Sequence, residues 1–165
     1  MNKKPQGGFV LIELVTTLIL IGVIGAFAGL FLFTGVNGFM ASKRNSETAL
    51  SAQIALDRIS AELRRISSLP AAPVANTSIT YLSKDLPGTR KIRYDSGAKI
   101  IYFSRDGAEN PLLDKVATFS LAWDSANMDN AGGDEISAIN IGFTIADVGT
   151  QFNARIHPRF FIPKP

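Results

Sequence analysis

The chain has no cysteine among its 165 residues, one histidine and one tryptophan. Without thiols, disulfide scaffolds, thiolate metal sites and thiol nucleophiles are excluded, and the redox compartment leaves no trace. Charge is missing from one place only. Residues 14–42 carry none in 29 positions, whereas residues 43–165 hold 28 of the 31 charged side chains. A single long apolar segment excludes both a uniformly soluble globule and a polytopic membrane protein. The remaining 123 residues have the composition of one soluble domain with a modest core. Lys3 and Lys4 supply much of the net +3. The rest of the chain is therefore too weakly basic to make nucleic acid a main partner.

The apolar segment is too long for the roughly 7–15-residue core of a secretory signal peptide. It reads as a membrane-spanning helix, for which about 20 apolar residues suffice. At about 1.5 Å per residue the charge-free stretch is about 44 Å long and overshoots a bilayer. Tilt, or a second apolar environment beyond the lipid, would take up the excess. Its anomaly is Glu13, set between Phe9-Val10-Leu11-Ile12 and Leu14-Val15. An ionised carboxylate is unfavourable in hydrocarbon, so it must reach the interface, neutralise or find a cation. Gly7-Gly8-Phe9 is a flexible dipeptide meeting an apolar run, a candidate protease site. A cut between Gly8 and Phe9 would place a new α-amine four residues before Glu13.

At these residues the chain resembles the type IV pilins and type II secretion pseudopilins. Lys3-Lys4-Pro5-Gln6-Gly7-Gly8 followed by Phe9-Val10-Leu11-Ile12-Glu13-Leu14 is similar to their amino-terminal signature. The resemblance implies that residues 1–8 are a leader, removed by a prepilin peptidase after Gly8, and that Phe9 becomes the methylated amino terminus. Glu13 matches the family's glutamate that acts in assembly. Many pilins have a proline near the middle of this helix, where Leu30 stands here. That departure concerns the local bend. Gly25-Ala26-Phe27-Ala28-Gly29 fits the small-xxx-small pattern of closely packed helices, although glycine is common in membrane helices anyway. Gly35-Val36-Asn37-Gly38 is a potential soft joint, since glycine weakens a helix by about 1 kcal/mol relative to alanine.

Beyond the apolar segment, Ala52, Leu56, Ile59, Leu63 and Ile66 repeat at spacings of one helical face. The pattern predicts a helix from about residue 10 to residue 68, stopped by Pro70 and Pro73, with this stripe buried. Residues 78–82, 90–94, 99–103, 116–123, 135–145 and 153–162 read as strands. Asp95-Ser96-Gly97 marks a hairpin turn. The expected fold is α+β and pilin-like. A long amino-terminal helix, transmembrane over residues 9–42 and amphipathic over 43–68, packs on an antiparallel sheet within 78–162. Residues 44–165 should fold without the apolar segment. Residues 55–65, and Asn110-Pro111-Leu112-Leu113-Asp114-Lys115-Val116 leading to Phe119 and Trp123, are similar to J-type minor pseudopilins and related minor pilins.

No enzyme motif is present, so no catalytic residue and no cofactor are expected. His157 has no nucleophile or second ligand near it in sequence and reads as structural. Asp57 and Glu62, five apart, do not share a helical face and read as solvated charges. Residues 124–135 gather oxygen ligands around glycines, but Ala126 and Met128 break the alternation of a Ca²⁺ loop. A solvated loop is the default there, with Ca²⁺ left open. Arg90-Lys91 with Arg93 and Tyr94 reads as an exposed basic strand face.

The expected function is that of a structural minor subunit of a secretion pseudopilus, a type IV pilus or a DNA-uptake pilus. Its implied partners are other pilin or pseudopilin subunits, the prepilin peptidase and an inner-membrane assembly platform. Its domain is expected on the periplasmic side of the inner membrane. The alternative is a filament-tip binding module for a secreted substrate, a surface or DNA.

Overall fold

The structure, a computed structural model, describes residues 11–128, 133–146 and 149–163. One helix, α1 (Leu11–Leu63), is followed by eight strands. They are β1 (Ile66–Ser68), β2 (Ser78–Ser83), β3 (Thr89–Asp95), β4 (Ile100–Arg105), β5 (Ala108–Leu113), β6 (Val116–Ala126), β7 (Glu135–Ile145) and β8 (Gln151–Ile156). The fold is the expected α+β one. The chain divides into two compact units at Arg44/Asn45.

In the first unit α1 is apolar all round and exposes its large side chains, from Leu11 at 82% to Phe39 at 71%. A soluble helix hides one face, and a helix with no polar face suits lipid. Its hydroxyls are satisfied within the helix: Thr16 donates to the Ile12 carbonyl, Thr17 to Leu14 and Thr34 to Leu30. Hydroxyls satisfied in this way are not orphan donors in an apolar medium. The helix is long and apolar enough to cross a membrane, consistent with single-pass anchoring. It runs through Gly35 and Gly38 unbroken, so the soft joint expected there is not a break in the helix.

In the second unit the stripe behaves as its spacing requires. Ala52, Leu56, Ile59, Leu63 and Ile66 are all buried, and Ala55 joins them. The helix ends at Leu63, five residues before the expected end at 68. Tertiary partners end it before the prolines do. Arg65 donates to the Glu62 carbonyl in a tight last turn, Arg159 donates to the freed Arg64 carbonyl, and Lys84 to that of Arg65. Helix ends need such acceptors satisfied, and here neighbouring backbone does it. Ile66 then continues the stripe as the first residue of β1, paired antiparallel with Ser83.

The expected single sheet is two. Strands β1-β2-β3-β4-β5 form one and β6-β7-β8 the other, all antiparallel. Two local features separate them. Pro111 lies in β5, where it has no N–H to donate to a further strand. Lys115 then adopts φ +57° and redirects the chain. A bulge at Ala117 shifts the register, so Val116, Phe119 and Leu121 all turn inward. Residues of α1 and of both sheets share one core, which includes Tyr81, Phe143 and the buried isoleucines of the strands. Each such side chain contributes about 1.5–3 kcal/mol on burial.

Turn chemistry sets the first sheet's hairpins. Asp95 accepts from the N–H groups of Gly97 and Ala98, closing the β3–β4 turn around the expected Asp-Ser-Gly. Asp106 and Gly107 both take positive φ between β4 and β5, the geometry of a two-residue type I′ turn. The Asp106 carboxylate also accepts from the Thr89 N–H at 2.8 Å and lies against Gly88. Gly88 has φ +95°, so a side chain there would be strained and would meet that carboxylate. The expected final run, 153–162, is strand only as far as Ile156. Beyond it Ile162 is buried and accepts from the Ile136 N–H as an irregular strap.

Candidate functional site

Gly8 and Phe9, the expected cleavage and methylation residues, lie outside the described residues. Glu13 stands in the first turn of α1, exposed. A carboxylate there is favoured by the helix dipole. Below it the segment's glycines serve no close approach within the described residues of this chain. A Cβ added to Gly22, Gly25, Gly29, Gly35 or Gly38 would meet nothing within 4 Å.

The second unit contains a polar cluster that sequence reasoning misassigned. Glu62, expected as a solvated charge, accepts from Arg90 Nη1 at 2.6 Å with side chains 16% and 5% exposed respectively. The Tyr81 hydroxyl donates to the same Glu62 oxygen at 3.3 Å. Burial, and secondarily the Glu62 charge, push the Tyr81 phenol far above its ordinary pKa, so it stays a donor. Asp57, five residues earlier, is exposed and accepts from Gln53 on its own helix. The two carboxylates do lie on different faces, and only one is solvated.

The basic run divides in the same way. Arg90, Ile92 and Tyr94 alternate with Lys91 and Arg93, so Arg90 points into the domain while Lys91 and Arg93 point out. The stretch is therefore not one exposed basic face. Arg93 makes a two-pronged contact with Glu109 and a third bond to Asp95. This guanidinium holds the Glu109 carboxyl below its usual range. For Asp95 the N–H of Ala98 acts first and Arg93 second. Alternation with Ile92 and Tyr94 was the signal that placed Arg90 inside, and Glu62 borders the stripe between Ile59 and Leu63.

His157 donates one hydrogen bond through Nδ1–H, to the Ser137 carbonyl, and meets no carboxylate among the described residues. Of the 124–135 loop, residues 129–132 lie outside the described residues. Its Asp124 is held by Asn140 and Arg155, and Glu135 accepts from the Met128 N–H. Those carboxylates already have partners, and among the described residues no group of three metal-ligating side chains occurs. No protein-family model, no curated protein and no solved structure matches this chain.

Proposed function

We propose that this chain is a minor prepilin-type subunit of a type II secretion pseudopilus or type IV pilus, acting in filament initiation or at the tip. The observation that carries the proposal is one carboxylate, Glu13, at the head of a helix that is otherwise uncharged to residue 42 and exposed all round. A single-pass anchor needs the apolar surface but not the acid. A subunit that leaves the bilayer to join a helical bundle needs a polar contact that selects axial register, because pairing in a low dielectric depends steeply on geometry. The α-amine freed by a cut at Gly8 is the matching cation. In this reading the chain inserts once in the inner membrane, with the domain periplasmic. The prepilin peptidase cuts it and methylates Phe9, and an assembly platform passes it to neighbouring subunits.

The mature chain is then expected to begin at methylated Phe9. Intact mass from cells with and without the peptidase tests this, and a chain retaining residues 1–8 in peptidase-positive cells defeats the proposal. Glu13→Val is expected to remain inserted and cleaved yet to be poorly incorporated. An ionised carboxylate is unfavourable in hydrocarbon, so its removal does not impede insertion. Membrane fractionation and cross-linking to filament partners, with Glu13→Asp as a control, are the measurements. Normal incorporation of Glu13→Val reduces the glutamate to a tolerated interfacial residue.

A further inference from the structure

We propose that the cavity between the second half of α1 and the β3–β4–β5 end of the first sheet binds a carboxylate presented, beside an apolar side chain, by a partner polypeptide. The site is independent of the filament proposal. The cavity is about 500 Å³, and Arg58, Glu62, Leu86, Arg90, Phe103 and Arg105 are among the residues that line it. That volume lies within the roughly 300–1,000 Å³ of ligand pockets.

Its charge is unbalanced by construction. Arg90 and Arg105 are direct cross-strand partners of β3 and β4, so their side chains leave the sheet on the same face. Like charges placed directly opposite destabilise a sheet. Glu62 answers one of them, Arg90. Among the described residues Arg105 has only Asp106, at 3.8 Å with both side chains more than half exposed. Arg58 has no carboxylate within ion-pairing distance among the described residues, and its guanidinium lies 5.2 Å from the centre of the Phe103 ring. Arg90 Nε is buried and has no acceptor among the described residues. The guanidiniums of Arg58 and Arg90 therefore lie over one aromatic ring, Phe103, and Arg105 lines the same cavity, which holds one carboxylate, Glu62.

The shape of the deficit selects the ligand. A guanidinium's planar fork matches a carboxylate in two parallel bonds. The Glu62 carboxylate at the wall, paired with Arg90, disfavours a phosphate dianion more than a singly charged carboxylate. Leu86, Pro111 and Leu112 give the cavity an apolar portion beside the Asn110 amide, which suits a side chain next to the acid in a peptide rather than a free small anion. Bound there, the carboxylate bridges Arg58 and Arg105, the two accessible arginines.

The test uses the full chain in detergent micelles with ¹⁵N-labelled arginine, titrated with the capped tripeptide acetyl-Leu-Glu-Leu-amide at constant ionic strength. The expected result is saturable shifts of the arginine Nε–H signals, assigned through Arg58→Gln and Arg105→Gln. The Gln-containing tripeptide should produce none. Each arginine variant should bind about tenfold more weakly, the effect of losing one charge-assisted bond. Arg105→Gln should also keep or raise the melting temperature of the free protein, because it removes the cross-strand repulsion. A merely structural arginine would lower it. Equal shifts with the Gln tripeptide, tighter binding of inorganic phosphate than of the peptide, or unchanged affinity in both variants would overturn the proposal.

Discussion

Leu63→Asp is expected to abolish the cooperative thermal transition of a fragment starting at Asn45, whereas Ile54→Asp on the same helix should leave it intact. Leu63 is fully buried at the point where the helix, β1 and the sheet core meet, and Ile54 is 58% exposed. An aspartate at 63 loses about 1.5–3 kcal/mol of apolar burial and adds an unpaired buried charge that costs several more. The combined loss is comparable to total domain stabilities of about 5–15 kcal/mol. Circular dichroism with thermal melts distinguishes the two variants. A normal melt for Leu63→Asp would mean that the stripe does not face the core, and Leu56→Asp provides an independent repeat.

Glu62→Ala should be nearly as damaging, although the residue is polar. It strands the Arg90 guanidinium, whose side chain is 5% exposed, and removes the acceptor of the Tyr81 hydroxyl. Removing one partner of a buried pair costs about 3–5 kcal/mol, because the remaining charge has been desolvated without compensation. Replacing both, Glu62→Leu with Arg90→Met, should recover most of that stability, since an apolar pair of similar volume needs no partner. Urea denaturation at constant m-value reads the two variants directly. A loss below about 1 kcal/mol for Glu62→Ala would place the pair among solvated surface bridges and return Glu62 to the role its sequence position suggested.

Much of this architecture is legible in the amino-acid sequence alone, for reasons that particular residues make plain. The helix could be read because its signals are local and repeated. Residues 14–42 lack charge altogether, and the Ala52 to Ile66 spacing states a face at every turn. Strands β2, β3, β4, β6 and β7 announce themselves by β-branched and aromatic alternation. Strand β5 does not, because Ala108, Glu109, Asn110 and Pro111 read as loop. It is a strand through the Asp106-Gly107 turn and the pairing it enforces with β4.

What the sequence by itself determined is the α+β class, the division between an apolar and a soluble half, the buried stripe and Glu13 as the one acid in the apolar segment. Only the tertiary structure decided where the helix ends, that there are two sheets, and that Glu62 and Arg90 meet across 28 positions. Local periodicity reports which face of an element avoids water. It carries no information about which element arrives on that face, and the fate of Glu62 depended on that arrival. A carboxylate at the margin of an apolar stripe is solvated or paired according to what packs above it, and here β2 and β3 brought Tyr81 and Arg90.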